Sequence, residues 1–429
     1  MTSESIGFAG MTHLGINSAA AAAEKGFDVV CYDSDAAVIA ALQAGRLPVT
    51  EPQLPELLKK NASRIRYSAD AGVLAACAVV YIAPDVTTDD AGRSDLGRID
   101  ALIPAVDAAM AADAVMVILS QVPPGFTRAR ARAGRLLHYQ VETLIFGRAV
   151  ERALYPERLI VGCAEPARPL PPALAQFLGS FGCPVLPMRY ESAELAKISI
   201  NMCLVASVGV ANTMAELCEQ TGADWSEIVP ALKLDRRIGA YSYLSPGLGI
   251  AGGNLERDLA TVLSLAEKNR TDAGIVTAWV ANSKHRKDWT WRTLGTLVLA
   301  QQPDARIAVL GLAYKEDTHS TKNSPALTLL SHLDAHAVTV YDPVVSPAAA
   351  GIKHPGATNA LEAVRDADAV CIMTPWAEFK ALSPAALAAQ MRGSWLIDPF
   401  RVIDGDAARR AGLRHVTLGI APAMEALPC

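Results

Sequence analysis

The first 35 residues contain the pattern that most restricts the fold of this chain. An apolar run from Ser5 to Ala9 leads into a turn with glycine at both ends, Gly10 to Gly15. An alanine-rich helical stretch follows, and then a second apolar run, FDVVCYDSD, which reaches the carboxylate of Asp33. A strand, a glycine turn, a helix and a strand with an acid about 20 residues on is the arrangement that binds dinucleotides. In it the pyrophosphate lies at the helix N-terminus.

This turn departs from the full G-x-G-x-x-G pattern, because Thr12 occupies the position of the middle glycine. The glycines alone are therefore a weak signal, which Asp33 strengthens. A carboxylate there favours NAD over NADP, since a 2′-phosphate would face a negative charge. In open α/β sheets ligands lie beyond the carboxyl ends of the strands, so we expect the loops after several strands to line one crevice. The predicted NAD contacts are Gly10, Thr12, His13, Leu14, Gly15, Asp33, Pro84 and Gln121.

A second strand–turn–helix–strand unit begins at Ala305 with ARIAVLGLAYKED and continues through HAVTVYDPVV, DADAVCIMTPWAEF and SWLIDPF. The sequence therefore predicts an α/β protein with two Rossmann-like doubly wound parallel sheets, joined by a long central helix. We place an NAD-binding domain at residues 1–188 and a central helical and dimerisation region at 189–298. A nucleotide-sugar-binding domain occupies 299–429.

The long helical stretch runs from about Glu191 to Glu219. Glu194, Lys197 and Asn201 fall at i, i+3 and i+7 and share one face of this helix. Such a polar stripe is either a buried functional face or a solvated edge. We favour the functional interpretation, because a partly buried lysine places its charge against something specific.

The glycine-rich segment 235–259, DRRIGAYSYLSPGLGIAGGNLERDL, is the second candidate region. Glycine there allows positive φ and lets the backbone approach a ligand closely. An ordinary surface loop has the same composition. Its place between two nucleotide-type units makes it a candidate active site.

Composition excludes several classes of function. The net charge of −5 and pI near 5.9 argue against nucleic acid or an anionic membrane as the main partner. No apolar run approaches the length of a membrane span, and the opening does not resemble a signal peptide. The eight cysteines lack metal-ligand spacing, so we predict no metal and reduced thiols in a cytoplasmic protein.

Several segments together resemble the UDP-glucose/GDP-mannose dehydrogenase family. They are IGFAG, EPQLPELL, ESAELAKISIN, RIGAYSYLSPGLGIAGGNLERDL, IAVLGLAYKEDT, VYDP and TPWAEF, in the family's order over nearly the whole chain. The resemblance implies an NAD domain, a central helix used for homodimerisation and a C-terminal nucleotide-sugar domain. Usual members oxidise a sugar C6 alcohol to a carboxylate in two NAD-dependent steps, through a cysteine thiohemiacetal and a thioester.

The resemblance also assigns residues. Lys197 and Asn201 match the family's catalytic lysine and asparagine, Asp258 its water-activating aspartate, and Glu142 the first glutamate of its active-site loop. On pattern alone Glu142 is better explained as a solvated surface residue. Glu51 also fits the family. The implied substrate contacts are Arg237, Tyr241, Tyr243, Leu244, Gly247, Gly249 and Lys315.

The departures from the family are concentrated at contact positions. Asn254 stands where the nucleophilic cysteine is expected, and no cysteine lies elsewhere in segment 235–259. Gln121 replaces a threonine and Phe146 replaces the second loop glutamate. The usual acid–acid–x–Arg of the C-terminal domain reads His-Ser-Thr-Lys, ending at Lys322. An amide cannot form a thioester-type acyl intermediate.

We therefore predict an NAD-dependent oxidoreductase that performs a single two-electron step on a nucleotide-linked sugar. Lys197, Asn201, Asp258, Glu142 and Asn254 are its candidate catalytic residues. Three alternatives stay open: acid formation by Asp258-activated water, an NAD-dependent epimerase, and a non-catalytic nucleotide-sugar-binding protein. A hydroxyacid-dehydrogenase architecture ranks low because it lacks the second α/β unit. The nucleotide, the sugar, the oxidised carbon and the direction of reaction stay open.

Overall fold

The computed structural model describes residues 5–89 and 92–422. The chain divides into two compact units, Met1–Ile200 and Asn201–Cys429. Each unit contains a sheet that is parallel or mostly parallel, and the boundary between the units falls inside one long helix. The division into three functional regions stays a prediction. Cys429, one of the eight cysteines, lies outside the described residues.

The first unit is built on an eight-stranded sheet. Its strands run in the spatial order β3-β2-β1-β4-β5-β6-β7-β8, and every neighbouring pair is parallel except β6 and β7. The first six follow the order of a dinucleotide-binding sheet. The strands are β1 (Ser5–Ala9), β2 (Asp28–Tyr32), β3 (Ile65–Ser68), β4 (Cys77–Ile82), β5 (Val115–Ile118), β6 (Leu136–Gln140), β7 (Leu159–Cys163) and β8 (Val185–Arg189).

Helices cover both faces of this sheet, since its central strands are apolar at every position. One buried cluster packs α1 and α7 against one face, and a second packs α4 and the start of α8 against the other. The helices are α1 (His13–Glu24), α2 (Ala36–Gln43), α3 (Leu54–Lys60), α4 (Gly97–Ala109), α5 (Phe126–Arg130), α6 (Ala149–Leu154), α7 (Pro172–Gly179) and α8 (Tyr190–Thr221). Short 3₁₀ turns occupy Ala62–Arg64 and Ala71–Ala76.

Helix α8 is 32 residues long and carries the boundary between the two units. Among the described helices, it is the one that is long and apolar enough to cross a membrane. Interior helices of folded proteins can have the same length and composition. Glu194 and Asn201 are buried on it in contacts with other elements. Helix α8 is therefore packed into the fold at these two positions.

The second unit begins with the rest of α8 and a set of helices, and ends in a five-stranded parallel sheet ordered β10-β9-β11-β12-β13. The helices before the sheet are α9 (Trp225–Leu234), α10 (Asn254–Asn269), α11 (Gly274–Lys287) and α12 (Trp289–Leu294), followed by a π-helical turn at Gly295–Leu299. The sheet strands are β9 (Ile307–Leu310), β10 (Val338–Tyr341), β11 (Ala369–Ile372), β12 (Trp395–Ile397) and β13 (Arg414–Val416). The helices between them are α13 (Pro325–His332), α14 (Ala360–Ala363), α15 (Ala377–Lys380), α16 (Pro384–Gln390) and α17 (Gly405–Arg410).

This architecture confirms the predicted fold class of two parallel α/β sheets with a long helix in the middle of the chain. The one departure from a fully parallel first sheet is the antiparallel pairing of β6 with β7. The predicted NAD contacts all follow the carboxyl ends of β1, β2, β4 and β5, which are neighbours in the sheet.

Candidate active site

The turn after β1 requires glycine at two positions. Gly10 has φ of 98°, and a Cβ there would lie 2.8 Å from the ring of Pro84. A Cβ on Gly15 would lie 2.0 Å from the carbonyl oxygen of Gly10. No side chain fits such spaces, so the N-terminus of α1 packs directly onto the turn. This is the cradle that lets a helix N-terminus approach a pyrophosphate.

Asp33 is buried beside this turn. Its Oδ2 accepts from the amide of Met11 at 2.7 Å and from Nη2 of Arg98 at 2.8 Å, and its Oδ1 accepts from the amide of Asp35 at 3.1 Å. Arg98, in the first turn of α4, is a residue that the sequence analysis did not predict to lie in this site. No local pattern marks it, because it reaches Asp33 only through the order of the strands.

Thr12 connects the turn to the loop after β4. Its Oγ1 accepts from the amide of Asp85 at 2.8 Å and donates to the carbonyl of Ala83 at 3.4 Å. The carboxylate of Asp85 in turn accepts a long hydrogen bond, 3.4 Å, from the amide of Leu14 in the first turn of α1. The threonine that replaces a glycine therefore holds a negative charge at the N-terminus of α1.

The side chain of His13 belongs to a buried cluster. Its Nε2 lies 3.1 Å from Glu51, and its ring stacks on Phe146 with centroids 4.0 Å apart. Glu51 also accepts from the amides of Gly147 at 3.2 Å and Ala149 at 2.8 Å. What His13 can offer a cofactor is therefore its backbone N–H, and its side chain instead joins α1 to the loop after β6.

The ends of β4 and β5 also meet. Ser120 Oγ donates to the carbonyl of Pro84 at 2.5 Å, and Gln121 comes next as a half-buried residue. Together the glycine cradle, the helix N-terminus and the acid at Asp33 fit NAD, whose pyrophosphate would lie at α1 and whose adenosine ribose would lie at Asp33.

Glu142 and Lys197 form a pair within the first unit. The Lys197 Nζ lies 3.5 Å from Glu142 Oε2, and their side chains are 12% and 18% exposed. The amide of Leu144 donates to the other oxygen of Glu142. A charged pair that is mostly withdrawn from solvent, on a loop next to α8, is positioned to exchange a proton or stabilise a developing charge.

Glu194, the third member of the predicted polar stripe, has a structural role. It is fully buried and accepts from the amides of Gly125 at 2.6 Å and Thr127 at 2.8 Å. Burial raises the pKa of Glu194, and these hydrogen bonds oppose that shift. The functional interpretation of the stripe is therefore wrong at this position, because the carboxylate caps α5.

Asp258 is the most buried acid of the candidate set. Its carboxylate accepts from Nδ2 of Asn201 at 2.5 Å and lies 3.3 Å from Nε of Arg257. The Asp258 side chain is 1% exposed. A buried carboxylate with an amide and a guanidinium on it is oriented, which a general base needs.

Asn254 is the first residue of α10 and is exposed. The turn before it is tightly built: Gly252 has φ of 84°, and a Cβ there would lie 2.8 Å from the ring of Tyr314. The amide of Gly252 also donates to the carbonyl of Lys322 at 3.1 Å. The side chain of Asn254 therefore stands at the start of α10, directly after a tightly packed turn.

Three predicted substrate contacts are exposed on the glycine-rich segment. Tyr241 is 96% exposed and Tyr243 is 48% exposed. Arg237 bonds to Asp235 at 2.6 Å, with 89% of its side chain exposed. Their accessibility leaves them available to a ligand.

Two further predicted contacts are bound to the rest of the second unit. The carbonyl of Leu244, a buried residue, accepts from the indole N–H of Trp225 at 2.7 Å. The amide of Gly247 donates to Oδ1 of Asn212 at 2.8 Å. These backbone hydrogen bonds hold the conformation of the glycine-rich segment.

Gly249 and Lys315 complete the predicted set. Gly249 has φ of 75°, and a Cβ there would lie 2.3 Å from the carbonyl oxygen of Ser283. The Lys315 Nζ lies 6.0 Å from the ring centre of Tyr314, on the loop after β9. The segment before α10 and the loop after β9 therefore meet at Tyr314, with a cation beside them.

Comparison with known proteins matches three family models along the chain. Residues 4–170 match the NAD binding domain of the UDP-glucose/GDP-mannose dehydrogenase family. Residues 191–284 match its central domain, and residues 308–405 match its UDP binding domain.

Individual relatives of the chain point to the same family. The chain is 30% identical to a UDP-glucose 6-dehydrogenase of Pseudomonas aeruginosa, over 91% of each protein. It is also 30% identical to one of Rhizobium meliloti, covering 96% of this chain and 98% of the relative. Its structure resembles that of a UDP-glucose dehydrogenase from Pyrobaculum islandicum, with a TM-score of 0.83, 26% identity and 98% coverage of both chains.

Proposed function

The chain belongs to the UDP-glucose/GDP-mannose dehydrogenase family of NAD-dependent nucleotide-sugar dehydrogenases, and on this premise we propose that it performs a single two-electron oxidation. Its substrate is a nucleotide-linked sugar or close analogue, and its product is an aldehyde or ketone. The reverse reduction uses the same groups. The observation that carries the proposal is Asn254, an exposed amide at the first residue of α10.

The chemical reason is that an amide at position 254 cannot take the covalent route. Oxidation of an aldehyde to an acid through a thioester needs a thiolate to add to the carbonyl first. The amide of Asn254 cannot do this, but it can donate or accept a hydrogen bond at a hydroxyl or a carbonyl. The first oxidation needs no covalent intermediate, so the loss of the thiol leaves it possible.

We assign the proton to Asp258. When the sugar carbon gives up its hydride, the proton of its hydroxyl goes to a base. Asp258, held by Asn201 and Arg257, supports that role, either directly or through a water. Lys197, paired with Glu142, stabilises the developing alkoxide by its charge. NAD accepts the hydride.

We assign substrate binding to the exposed groups of the glycine-rich segment, Arg237, Tyr241 and Tyr243, with Lys315 from the loop after β9. A nucleotide diphosphate carries two phosphate charges, which Arg and Lys bind well. Leu244, Gly247 and Gly249 contribute by setting the backbone of the segment.

We also propose a cytoplasmic homodimer. Helix α8 exposes large apolar side chains at Val210, Met214 and Leu217, which are 54%, 40% and 52% exposed. Their spacing of four and three residues puts them on one helix face. A continuous apolar stripe on a long helix is typical of a surface that a second chain covers.

The alternative function is the full four-electron oxidation of the alcohol to an acid. The relatives named UDP-glucose 6-dehydrogenase favour it, and so does the buried Asp258, which could activate a water for attack on the aldehyde. In that route the aldehyde hydrate donates the second hydride, and no thioester forms.

The test is the yield of NADH per sugar consumed, with limiting UDP-, GDP-, CDP- and ADP-linked sugars and excess NAD. One NADH and a carbonyl product by mass spectrometry support the proposal. Two NADH and a persistent carboxylate overturn the single step and favour the hydrate route. No NADH, with nucleotide-sugar binding seen by calorimetry, overturns dehydrogenation and leaves an epimerase or a binding protein.

Two variants sharpen the result. Asn254→Cys restores the thiol, and we expect the yield to move from one NADH toward two. Asp258→Asn keeps the shape of the side chain and removes the base, so we expect the rate to fall by about 10²–10⁴-fold. Asp272→Asn, in the exposed turn after α10, is the matched control and leaves the rate unchanged.

A further inference from the structure

A cleft of about 360 Å³ lies in the second unit at the start of β9 and β10. This is the amino end of the sheet, whereas Tyr314 and Lys315 come after the carboxyl end of β9. A strand of four residues spans about 10 Å, so the two places lie at opposite ends of the sheet. The cleft is lined by Arg306, Ile307, His336, Ala337, Val338, Thr339, His354, Pro355, Ala363, Arg365 and Ala367.

The ionisable groups in this lining are all basic. It contains two arginines and two histidines, and neither Asp nor Glu. Among the described residues, the guanidinium groups of Arg306 and Arg365 make no hydrogen bond or ion pair. Arg365 is within electrostatic range of Glu362, but that carboxylate is already bonded to Thr358. Both arginines of the lining are exposed, so their guanidinium groups are accessible to a ligand.

One histidine of the lining has an unsatisfied ring nitrogen. The Nε2 of His354 is buried and has no hydrogen-bond partner. The carboxylate of Asp334 lies 3.9 Å away, beyond hydrogen-bond distance. An imidazole nitrogen withdrawn from water without a partner costs free energy that a bound acceptor or donor would recover.

We propose that this cleft binds a small phosphate-bearing anion. Guanidinium groups bind phosphate oxygens by charge-assisted, often bidentate hydrogen bonds. The volume lies in the range of small-molecule pockets, and the apolar walls from Ile307, Val338 and Pro355 accommodate the organic part of a ligand. The site is separate from the candidate active site and does not depend on the proposed function.

The experiment is calorimetric titration of the full chain with inorganic phosphate, pyrophosphate and a nucleoside monophosphate in separate arms. The first two report the phosphate alone, and the third reports the added organic part. We compare wild type with the double variant Arg306→Ala/Arg365→Ala. Arg410→Ala, an exposed arginine outside the cleft, is the matched control. The expected result is roughly tenfold or greater weakening in the double variant only, since charge-assisted bonds are lost.

A second measurement identifies the site that is occupied, because phosphates also bind at helix N-termini such as that of α1. Histidine ring signals are followed by NMR in the same titrations and assigned with His336→Gln and His354→Gln. Movement of His336 and His354 supports the proposal. Movement of His13 alone, absence of binding at millimolar anion, or equal binding by the double variant and the control overturns it. Arg306→Lys/Arg365→Lys, which keeps the charge, retains part of the affinity if the fold is intact.

Discussion

The turns after β1 and β9 have the same backbone geometry in the two sheets, but their surroundings differ. Gly10 and Gly311 have φ of 98° and 99°, and each donates its amide to the end of the neighbouring strand, at 2.8 Å and 2.7 Å. In both units the next amide donates at 2.7 Å to an aspartate that comes after that neighbouring strand, Asp33 in the first and Asp342 in the second.

The two units differ in the chain after this turn. In the first unit α1 begins at once, and its N-cap residue Thr12 makes no side-chain cap. In the second unit the chain runs as a loop to α13, whose N-cap Ser324 bonds to its own helix. Asp342 is surrounded by five donors, from the amides of residues 312, 313, 344 and 345 and the indole of Trp376.

This difference explains why the first turn is suited to a cofactor and the second is not. Burial and hydrogen bonding fully occupy Asp342, so it serves the fold. Asp33 accepts from two amides and a half-exposed arginine, next to a helix end where the amide of Leu14 makes only a long hydrogen bond, 3.4 Å, to Asp85. A ligand can bind where the chain has not already satisfied its own polar groups.

The largest expected effect comes from replacing Asp342, the aspartate that is surrounded by five hydrogen-bond donors. Asp342→Ala leaves five donors without their acceptor, so we expect a loss of about 3 kcal/mol or more in the free energy of unfolding. The matched variant Asp33→Ala leaves fewer donors, and we expect about 1–2 kcal/mol. Urea denaturation measures both. Equal losses would contradict the distinction between the two turns.

A methyl group at Gly15 tests the cradle. In Gly15→Ala the new carbon meets the carbonyl of Gly10, so we expect a loss of about 1–3 kcal/mol in stability and much weaker NAD binding. Gly179→Ala is the control, because nothing lies within 4 Å of a Cβ at that helical glycine. Calorimetric NAD affinity and thermal unfolding report the two effects. Tight NAD binding by Gly15→Ala would show that the cofactor does not use this turn.

The third prediction concerns cofactor choice. Asp33→Asn replaces the carboxylate that accepts hydrogen bonds from the ribose, so we expect NAD affinity to fall roughly tenfold. The same change releases Arg98 from its ion pair, so we expect NADP affinity to rise. Adding Arg98→Ala to that variant should abolish the gain for NADP. Fluorescence titration with NADH and NADPH measures both constants. If Asp33→Asn leaves the preference unchanged, Asp33 does not contact the ribose.

The smallest expected effect concerns Asp85. Its carboxylate lies at the N-terminus of α1, where the pyrophosphate of NAD would lie. Asp85→Asn removes that competing charge, and we expect a twofold to fivefold gain in NAD affinity, about 0.4–1 kcal/mol. Asp113→Asn, an exposed acid after α4, is the control. The gain should shrink as salt is added, and a loss of affinity would show that Asp85 supports binding.

Local sequence predicted the features that depend on neighbours in the chain. Strand, glycine turn and helix at 5–24 are determined by residue types a few positions apart, and Asp33 is identified by its place after β2. The same reasoning located the second sheet and helix α8. The family resemblance adds that Asn254, an amide, stands in the position of the expected nucleophile, and this assignment stays a prediction.

Tertiary structure decided which side chains meet. Arg98 bonds to Asp33 across 65 residues of sequence, Lys197 to Glu142 across 55, and Asn201 to Asp258 across 57. Glu194 fell into the predicted polar stripe, yet the fold uses it to cap α5. The physical reason is that helix and strand periodicity act over a few residues. Partners of buried charges are set by strand order and packing, which no local pattern encodes.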